Sequence, residues 1–207
     1  MFQDQLQRGF IEEIPHSELE GSGFRVHYIP HHLVEKSSST TTKARVVMNA
    51  ASKEIGQTSL NDMLEAGPNT EADLLALLIR FRLQPIGLTA DVERAFLQIN
   101  SDHPDHDVTK FLWIKDGAVG GPLAHYRHLR VPFGLTSSPF LLGATFLHHL
   151  SKYQSSQPAV QALCNDPYVD DLVTGAQNDD ETIALAKEAT RISEKLDSIS
   201  QHIQRRF

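Results

Sequence analysis

The amino-acid sequence predicts an α+β fold in which an antiparallel sheet carries helices on one face. Three observations lead to this class. Short alternating segments bounded by Gly, Pro and Ser are typical of strands, apolar stripes at a spacing of three and four residues are typical of helices, and residues 167–175 have the pattern of a β-hairpin. The 207 residues are enough for one domain with a substantial core.

The N-terminal part predicts a β-hairpin. Residues 24–29 alternate between apolar and polar side chains after a glycine-rich turn, as a strand does. Residues 37–42 are a Ser/Thr run that suits a hairpin tip, and residues 43–48 are expected to return as the partner strand. His31 and His32 have no Cys or carboxylate at a metal-ligand spacing, so a loop is favoured there over a metal site.

Three amphipathic helices are expected further along the chain. The first begins at Thr70 and is stopped by Pro85. The second begins at Ser138, with proline at its first helical position, and the third is capped by Asn178. Their apolar stripes are Leu74, Leu77, Leu78 and Phe81; Phe140, Ala144, Leu147 and Leu150; and Leu185, Ala189, Ile192, Leu196 and Ile199. With a strand pair at 110–114 and 126–131, the order of elements suits a ferredoxin-like arrangement.

Two adjacent carboxylates, Asp170 and Asp171, lie in the expected hairpin. Like charges side by side repel, and each pKa tends to rise unless a cation lies between them. Mg²⁺ prefers carboxylate oxygen, so the pair indicates a metal site. A third acid, Asp91, ends an apolar strand, and the three acids could converge on a metal pair if the two strands are neighbours. From the residues alone, an ordinary acidic hairpin tip remains the alternative.

Seven segments occur in an order and spacing that resemble a known family. They are YIPHHLV (28–34), KARVVMNA (43–50), SLNDML (59–64), LIRFR (78–82), LTADVE (88–93), PFGLTSSPF (132–140) and YVDDL (168–172). Together they resemble the fingers and palm of a reverse transcriptase, closest to the Pao/BEL class of long-terminal-repeat retrotransposons. The resemblance extends over roughly residues 10–200 of the 207.

The resemblance implies an RNA-directed DNA polymerase, a nucleotidyltransferase of the DNA/RNA polymerase superfamily, within a retrotransposon polyprotein. Residues 1–85 would form a fingers-like part with a β-hairpin and a helix, and residues 86–207 a ferredoxin-like palm that stops before the thumb, together one reverse transcriptase domain. Asp91, Asp170 and Asp171 would be the catalytic acids. Asp91 and Asp170 would bridge two Mg²⁺ ions, for which Mn²⁺ can substitute, with Asp171 and the carbonyl of Val92 as further ligands.

The resemblance also implies positions for the nucleotide and the primer. The matching residues are Lys36, Lys43, Arg45, Phe96, Phe133, Gly134 and Tyr168. Arg45, with one of the two lysines, would hold the triphosphate, since a guanidinium matches phosphate geometry. Phe96 would be a steric gate against a ribose 2′-hydroxyl, with a plain core role as its alternative. Phe133 and Gly134 would line the nucleotide and template, and Tyr168 would pack near the primer terminus.

The expected partners are dNTPs and an RNA or DNA template with its primer, together with the thumb, RNase H and integrase parts of a polyprotein. Two positions depart from the family pattern. Asn49 stands where an aspartate is usual, and Pro167 replaces an aromatic residue, which removes one ladder donor.

Composition limits the alternatives. The net charge of −7 is unusual for a protein that binds phosphates. No apolar run is long enough to span a membrane, residues 1–5 lack the pattern expected of a secretory signal, and the single Cys164 fits a reducing compartment. An intracellular, cytoplasmic protein is expected, or one within a retroelement particle. Two other functions stay open: a catalytically inactive retroelement remnant that binds nucleic acid, and an unrelated Mg²⁺-dependent phosphotransferase.

Overall fold

A computed structural model describes residues 2–19, 26–35, 44–115 and 120–195. The helices in these residues are α1 (Phe2–Gln7), α2 (His16–Leu19), α3 (Leu60–Met63), α4 (Leu74–Arg82), α5 (Ser138–Leu150), α6 (Pro158–Asn165) and α7 (Asp179–Ser193). The strands are β1 (Ile11–Glu13), β2 (His31–Glu35), β3 (Ala44–Met48), β4 (Ile86–Asp91), β5 (Lys110–Ile114), β6 (Leu123–His128), β7 (Pro167–Tyr168) and β8 (Asp171–Ala176). Short 3-10 helices span Ala95–Gln98 and His103–Thr109. The expected α+β class with antiparallel sheets is confirmed.

The chain divides into two compact units. Unit 1 comprises Met1–Ala66 and Asn100–Ser138, and unit 2 comprises Gly67–Ile99 and Pro139–Phe207. The division into a fingers-like part at 1–85 and a palm at 86–207 stays a prediction.

Unit 1 contains an antiparallel sheet with strand order β1-β6-β5 and a separate hairpin of β2 and β3. The hairpin was expected, but its first strand is His31–Glu35 and not residues 24–29. Residues 24 and 25 lie outside the described residues. Tyr28 forms a parallel bridge with Lys110, so it lies at the edge of β5 and not in the hairpin. His31 and His32 therefore belong to a strand, and the expectation of a loop was wrong.

Aromatic side chains fill the core of unit 1. Phe111 is fully buried and stacks on Phe2 with ring centroids 4.8 Å apart. His128 on β6 is only 3% exposed, and its ring lies 5.1 Å from that of Phe111. Neither ring nitrogen of His128 has a hydrogen-bond partner among the described residues. Burial, and to a lesser extent the nearby His31, lower the pKa of His128 to about 3.

Unit 2 is built on an antiparallel sheet with strand order β4-β8-β7. Alternate residues of the central strand, Leu172, Thr174 and Ala176, are buried. Leu172 packs in one apolar cluster with residues of the helices α5, α6 and α7. The strands β5 and β6, which the sequence placed in the ferredoxin-like order, pair with each other in unit 1 instead, and β6 also pairs with β1.

The helices of unit 2 follow their capping signals with differences at the ends, but Leu74, Leu78 and Leu147 of the expected apolar stripes are exposed. Helix α4 starts at Leu74 and not at Thr70, because the Asp73 carboxylate accepts the N–H of Ala76 at 2.8 Å and so fixes the first turn. Ser138 starts α5, but its hydroxyl donates to the carbonyl of Pro132 at 2.8 Å. Asn178 caps α7 as expected, accepting from the Glu181 N–H at 2.9 Å.

The expected stripe of α7 is confirmed for Leu185, Ala189 and Ile192, which are buried. Leu196 and Ile199 lie outside the described residues. Helix α6 had no counterpart in the sequence prediction. In the residues that the structure describes, no helix has the length and apolarity needed to cross a membrane.

Replacement of His128 by Phe is expected to reduce the acid sensitivity of the fold. A native pKa of about 3 lies below the unfolded value of about 6.5, so the unfolded state binds the proton first and stability falls as pH drops through this window. Between pH 7 and pH 5, this histidine should lower the free energy of unfolding by about 2 kcal/mol. Urea unfolding at both pH values measures it.

The exposed His16 provides the control. A His16→Gln variant should keep the acid sensitivity of the wild type, because its ring is in solvent in both states. Equal loss of stability in His128→Phe and the wild type would contradict the account of the unit 1 core.

Candidate active site

The register of β4 against β8 places two carboxylates side by side. Asp91, the last residue of β4, pairs directly with Asp171, the first residue of β8. On the other side of β8, Tyr168 pairs with Asp171. Directly paired residues of antiparallel strands point to the same face of a sheet. Asp91, Asp171 and Tyr168 therefore form a row across the three strands, on the face opposite Leu172 and the helical core.

A two-residue turn places the third carboxylate. Val169 and Asp170 join β7 to β8, and Val169 has φ 57°. Two-residue hairpins favour a positive φ at this position because it matches the twist of the strands. For a β-branched residue this conformation is strained. The N–H of Val92 donates to the carbonyl of Asp170 at 2.9 Å, which fixes the turn beside the end of β4.

The three acids affect one another electrostatically. The pKa of Asp171 is raised above its ordinary value, chiefly by partial desolvation and then by the negative charges of Asp170 and Asp91. The expectation that the two strands are neighbours is thus confirmed, while the catalytic roles of the acids stay predictions.

The donor atoms at this sheet end suit a hard divalent cation. Three carboxylates are available, and a cation between them would relieve the repulsion that raises the pKa of Asp171. The carbonyl of Val92 accepts the N–H of Ala95 at 3.2 Å and keeps a second lone pair. The described ranges contain no preformed group of three or more His, Cys, Asp or Glu side chains around one point. The chemistry of the donors fits the ion, and the binding itself would have to draw the carboxylates together.

Asp166 anchors the start of the hairpin. Its carboxylate accepts the Thr174 hydroxyl at 2.8 Å and pairs with the Arg80 guanidinium at 2.9 Å. Its backbone carbonyl accepts the N–H of Val173 at 3.0 Å, which extends the ladder past β7. Arg80 therefore holds the hairpin against α4. Sequence reasoning missed the contacts of Asp166, because Arg80 and Asp166 are 86 positions apart in the sequence.

Pro167 is tolerated because of its position. It is the first residue of β7, and β7 lies at the edge of its sheet. A proline at an edge removes no hydrogen bond from a central ladder. The departure from the family pattern is therefore accommodated by the strand order.

A cavity borders the hairpin within unit 2. It is lined by Val92, Asp170 and Asp171 together with apolar residues of α5 and α6, among them Leu142 and Phe146. The carboxylates at the sheet end thus adjoin a cleft with apolar walls.

The remaining predicted residues lie in different places. Phe96 is in unit 2 and only 6% exposed, so most of its ring is in the core. Phe133 and Gly134 are in unit 1, and Phe133 is 41% exposed. Arg45 belongs to β3, where only its backbone is described, and Lys36 and Lys43 lie outside the described residues. The structure therefore brings Asp91, Val92, Asp170, Asp171 and Tyr168 together and leaves the nucleotide-binding assignments as predictions.

The chain has a reverse-transcriptase-like fold. It superimposes on the native protease-reverse transcriptase of prototype foamy virus with a TM-score of 0.65 and 20% identity, covering 94% of this chain and 21% of that one. A foamy viral protease-reverse transcriptase in complex with dsDNA matches with a TM-score of 0.62 and 19% identity, over 94% of this chain and 33% of that one. This chain thus spans a fifth to a third of those proteins. No protein-family model matches the sequence, and neither does any curated protein.

The strain at Val169 can be measured by substitution. Val169→Gly should lower the free energy of unfolding by at least about 1 kcal/mol less than Val173→Gly does. The reason is that glycine adopts a positive φ freely, whereas this conformation costs other residues about 1–2 kcal/mol. Val173 is the matched control because it lies in the regular part of β8. Urea unfolding of both variants measures the difference, and equal losses would show that the turn is unstrained.

Proposed function

We propose that this chain is the fingers-and-palm part of a retrotransposon reverse transcriptase of the Pao/BEL type, an RNA-directed DNA polymerase that adds dNTPs to a primer. The observation that carries the proposal is the direct pairing of Asp91 with Asp171, with Asp170 in the adjoining turn. The fold of the foamy virus proteins supports it, as do the ordered sequence motifs.

Asp91 and Asp170 would hold two Mg²⁺ ions, with Mn²⁺ as a substitute and the Val92 carbonyl as a further ligand. When bound, such a pair activates the attacking primer hydroxyl and stabilises the leaving pyrophosphate. Asp171, the acid with the raised pKa, would tune the charge of the site and orient water. Catalysis of phosphoryl transfer depends mainly on positioning and charge stabilisation. The pairing of β4 with β8 would position the acids.

The other residues would position the substrates. Tyr168 lies in the same row as the acids and would pack against the primer terminus. Arg45, with Lys36 or Lys43, would bind the triphosphate, and Phe133 and Gly134 would contact the nucleotide and template.

The proposed partners are a primer–template duplex and dNTPs. Two of the similar foamy virus proteins are described in complex with dsDNA. Because this chain has a net charge of −7, we propose that thumb, RNase H and integrase parts of a polyprotein supply most of the basic surface for the duplex.

Primer extension on an RNA template with Mg²⁺ and dNTPs tests the proposal. Asp170→Asn should reduce incorporation at least a hundredfold, since it removes a charged metal ligand while leaving the size of the side chain unchanged. Asp166→Asn is the structural control: it weakens the anchor of the same hairpin and should cost less activity. Incorporation that is unchanged in Asp170→Asn would reject the assignment of the acids.

Phe96 would act as the gate against ribonucleotides. Its ring is 6% exposed, so the edge that reaches the surface would meet the sugar. Phe96→Val should raise the incorporation of rNTPs relative to dNTPs at least tenfold, measured as the ratio of kcat/KM values. Discrimination that is equal in the variant and the wild type would assign Phe96 to the core alone.

A second candidate function is a catalytically inactive remnant that binds nucleic acid. The net charge of −7 weakens the attraction for a primer–template duplex, and so favours the loss of polymerase activity over an autonomous polymerase. Under this alternative the wild type would fail to extend a primer at any Mg²⁺ or Mn²⁺ concentration while still retarding labelled RNA in a gel.

A further inference from the structure

Three separate segments of unit 1 meet at Asn61, the second residue of the short helix α3. The backbone N–H of Asn61 donates to the carbonyl of Ala50 at 3.0 Å, two residues after the end of β3. Its side chain reaches the turn at Gly134–Thr136, more than seventy residues away in sequence. Nothing in the sequence pattern indicates this junction.

The side-chain amide of Asn61 makes two hydrogen bonds to that turn. Its Nδ2 donates to the carbonyl of Gly134 at 2.9 Å, and its Oδ1 accepts the N–H of Thr136 at 2.9 Å. The two bonds fix the orientation of the amide, because exchanging N and O would place donor against donor and acceptor against acceptor. Only a side chain of this length that has both a donor and an acceptor can bind the Gly134 carbonyl and the Thr136 N–H together.

Gly134 brings the same turn against β3. Its φ is 100°, in the region that favours glycine, and a Cβ at this position would clash with the backbone carbonyl of Met48. Met48 is the last residue of β3, the strand that also carries Arg45. The turn that presents Phe133 is thus fixed to the end of β3 by close backbone packing and by the Asn61 amide.

Helix α3 is well placed to keep Asn61 rigid. Ser59 and Asp62 form a reciprocal capping box, with the Asp62 N–H donating to the Ser59 hydroxyl at 3.1 Å and the Ser59 N–H to the Asp62 carboxylate at 3.0 Å. Lys53 pairs with Asp62 at 2.6 Å. A single turn of helix is rarely stable alone, and these contacts fix it on both sides of Asn61.

We propose that Asn61 is a positioning residue for nucleotide binding, which sets the turn of Phe133 and Gly134 relative to β3. The inference rests on the proposed function, in which this turn and Arg45 contact the incoming nucleotide and template. Asn61 acts through the turn and through no contact of its own with substrate. Its effect therefore falls on the binding of the nucleotide, and the acids that carry the chemistry lie in unit 2.

Steady-state primer extension with the full chain tests the role of Asn61. Asn61→Ala removes both bonds and should raise the KM for dNTP about tenfold, with kcat within about threefold of the wild type. Asn61→Asp keeps the acceptor for Thr136 but sets a carboxylate against the Gly134 carbonyl, so its KM should rise as well. Amide exchange of Thr136 should be faster in Asn61→Ala, which reports on the turn independently of activity.

Asp62→Ala is the matched control. It removes the capping box and the Lys53 pair from the same helix but keeps the Asn61 amide. Helix α3 is then less rigid while both hydrogen bonds to the turn can still form, so the KM should rise clearly less than in Asn61→Ala, by about threefold at most. A KM in Asn61→Ala equal to that of an active wild type would overturn the inference. An equal rise in Asp62→Ala would overturn it too, because the effect would then come from α3 as a whole.

The failure of the proposed function would look different. If the wild type incorporates no nucleotide under any condition, the polymerase assignment fails, and the positioning role falls with it. If the wild type is active and Asp170→Asn is not, the function stands and the Asn61 variants decide the inference alone.

Discussion

The register of β4 against β8 is the constraint on which the rest of the site depends. A slip of one residue would turn Asp171 toward the helices and leave Asp91 on the opposite face, because side chains alternate along a strand. What prevents the slip is apolar burial: Leu172, Thr174 and Ala176 occupy the face that meets the helical core. The core of unit 2 thus positions the carboxylates, and two of its members, Leu163 and Leu172, also line the cavity beside Asp170 and Asp171.

Two unfavourable features occur together at the end of the β4-β8-β7 sheet, and contacts of the surrounding structure offset them. Val169 adopts a positive φ, and three carboxylates share one corner. The contacts of Asp166 and the hydrogen bond from the Val92 N–H hold the hairpin in place despite the strain and the repulsion. Strain and repulsion of this kind are common at functional sites, where the loss of stability is offset elsewhere in the fold. A divalent cation would remove the repulsion and leave the strain.

Local signals predicted those parts of the fold that depend on near neighbours in sequence. The cap at Asn178 and the stripe of α7 are examples. The approach of Asp91 to the hairpin, eighty residues further along the chain, was instead suggested by the chemistry of the three acids. Within the expected strand at 24–29, Tyr28 bridges to Lys110 of β5 instead of pairing in the hairpin, because alternation alone does not identify the partner strand. Neither Asp166 nor Asn61 could be recognised from sequence, since each acts on residues far along the chain or through a backbone group. The roles of Phe96 and Arg45 stay predictions.

The central claim is that Asp171 carries a raised pKa because it is partly desolvated and two other carboxylates lie beside it, and that a divalent cation relieves the repulsion between them. An NMR titration of the Asp171 side-chain carboxyl carbon, with and without Mg²⁺, tests it most directly. The account predicts a pKa above the ordinary value in the absence of Mg²⁺ and a clear fall when the ion is added. A pKa at its ordinary value that does not respond to Mg²⁺ would contradict both the convergence of the acids and their assignment as a metal site.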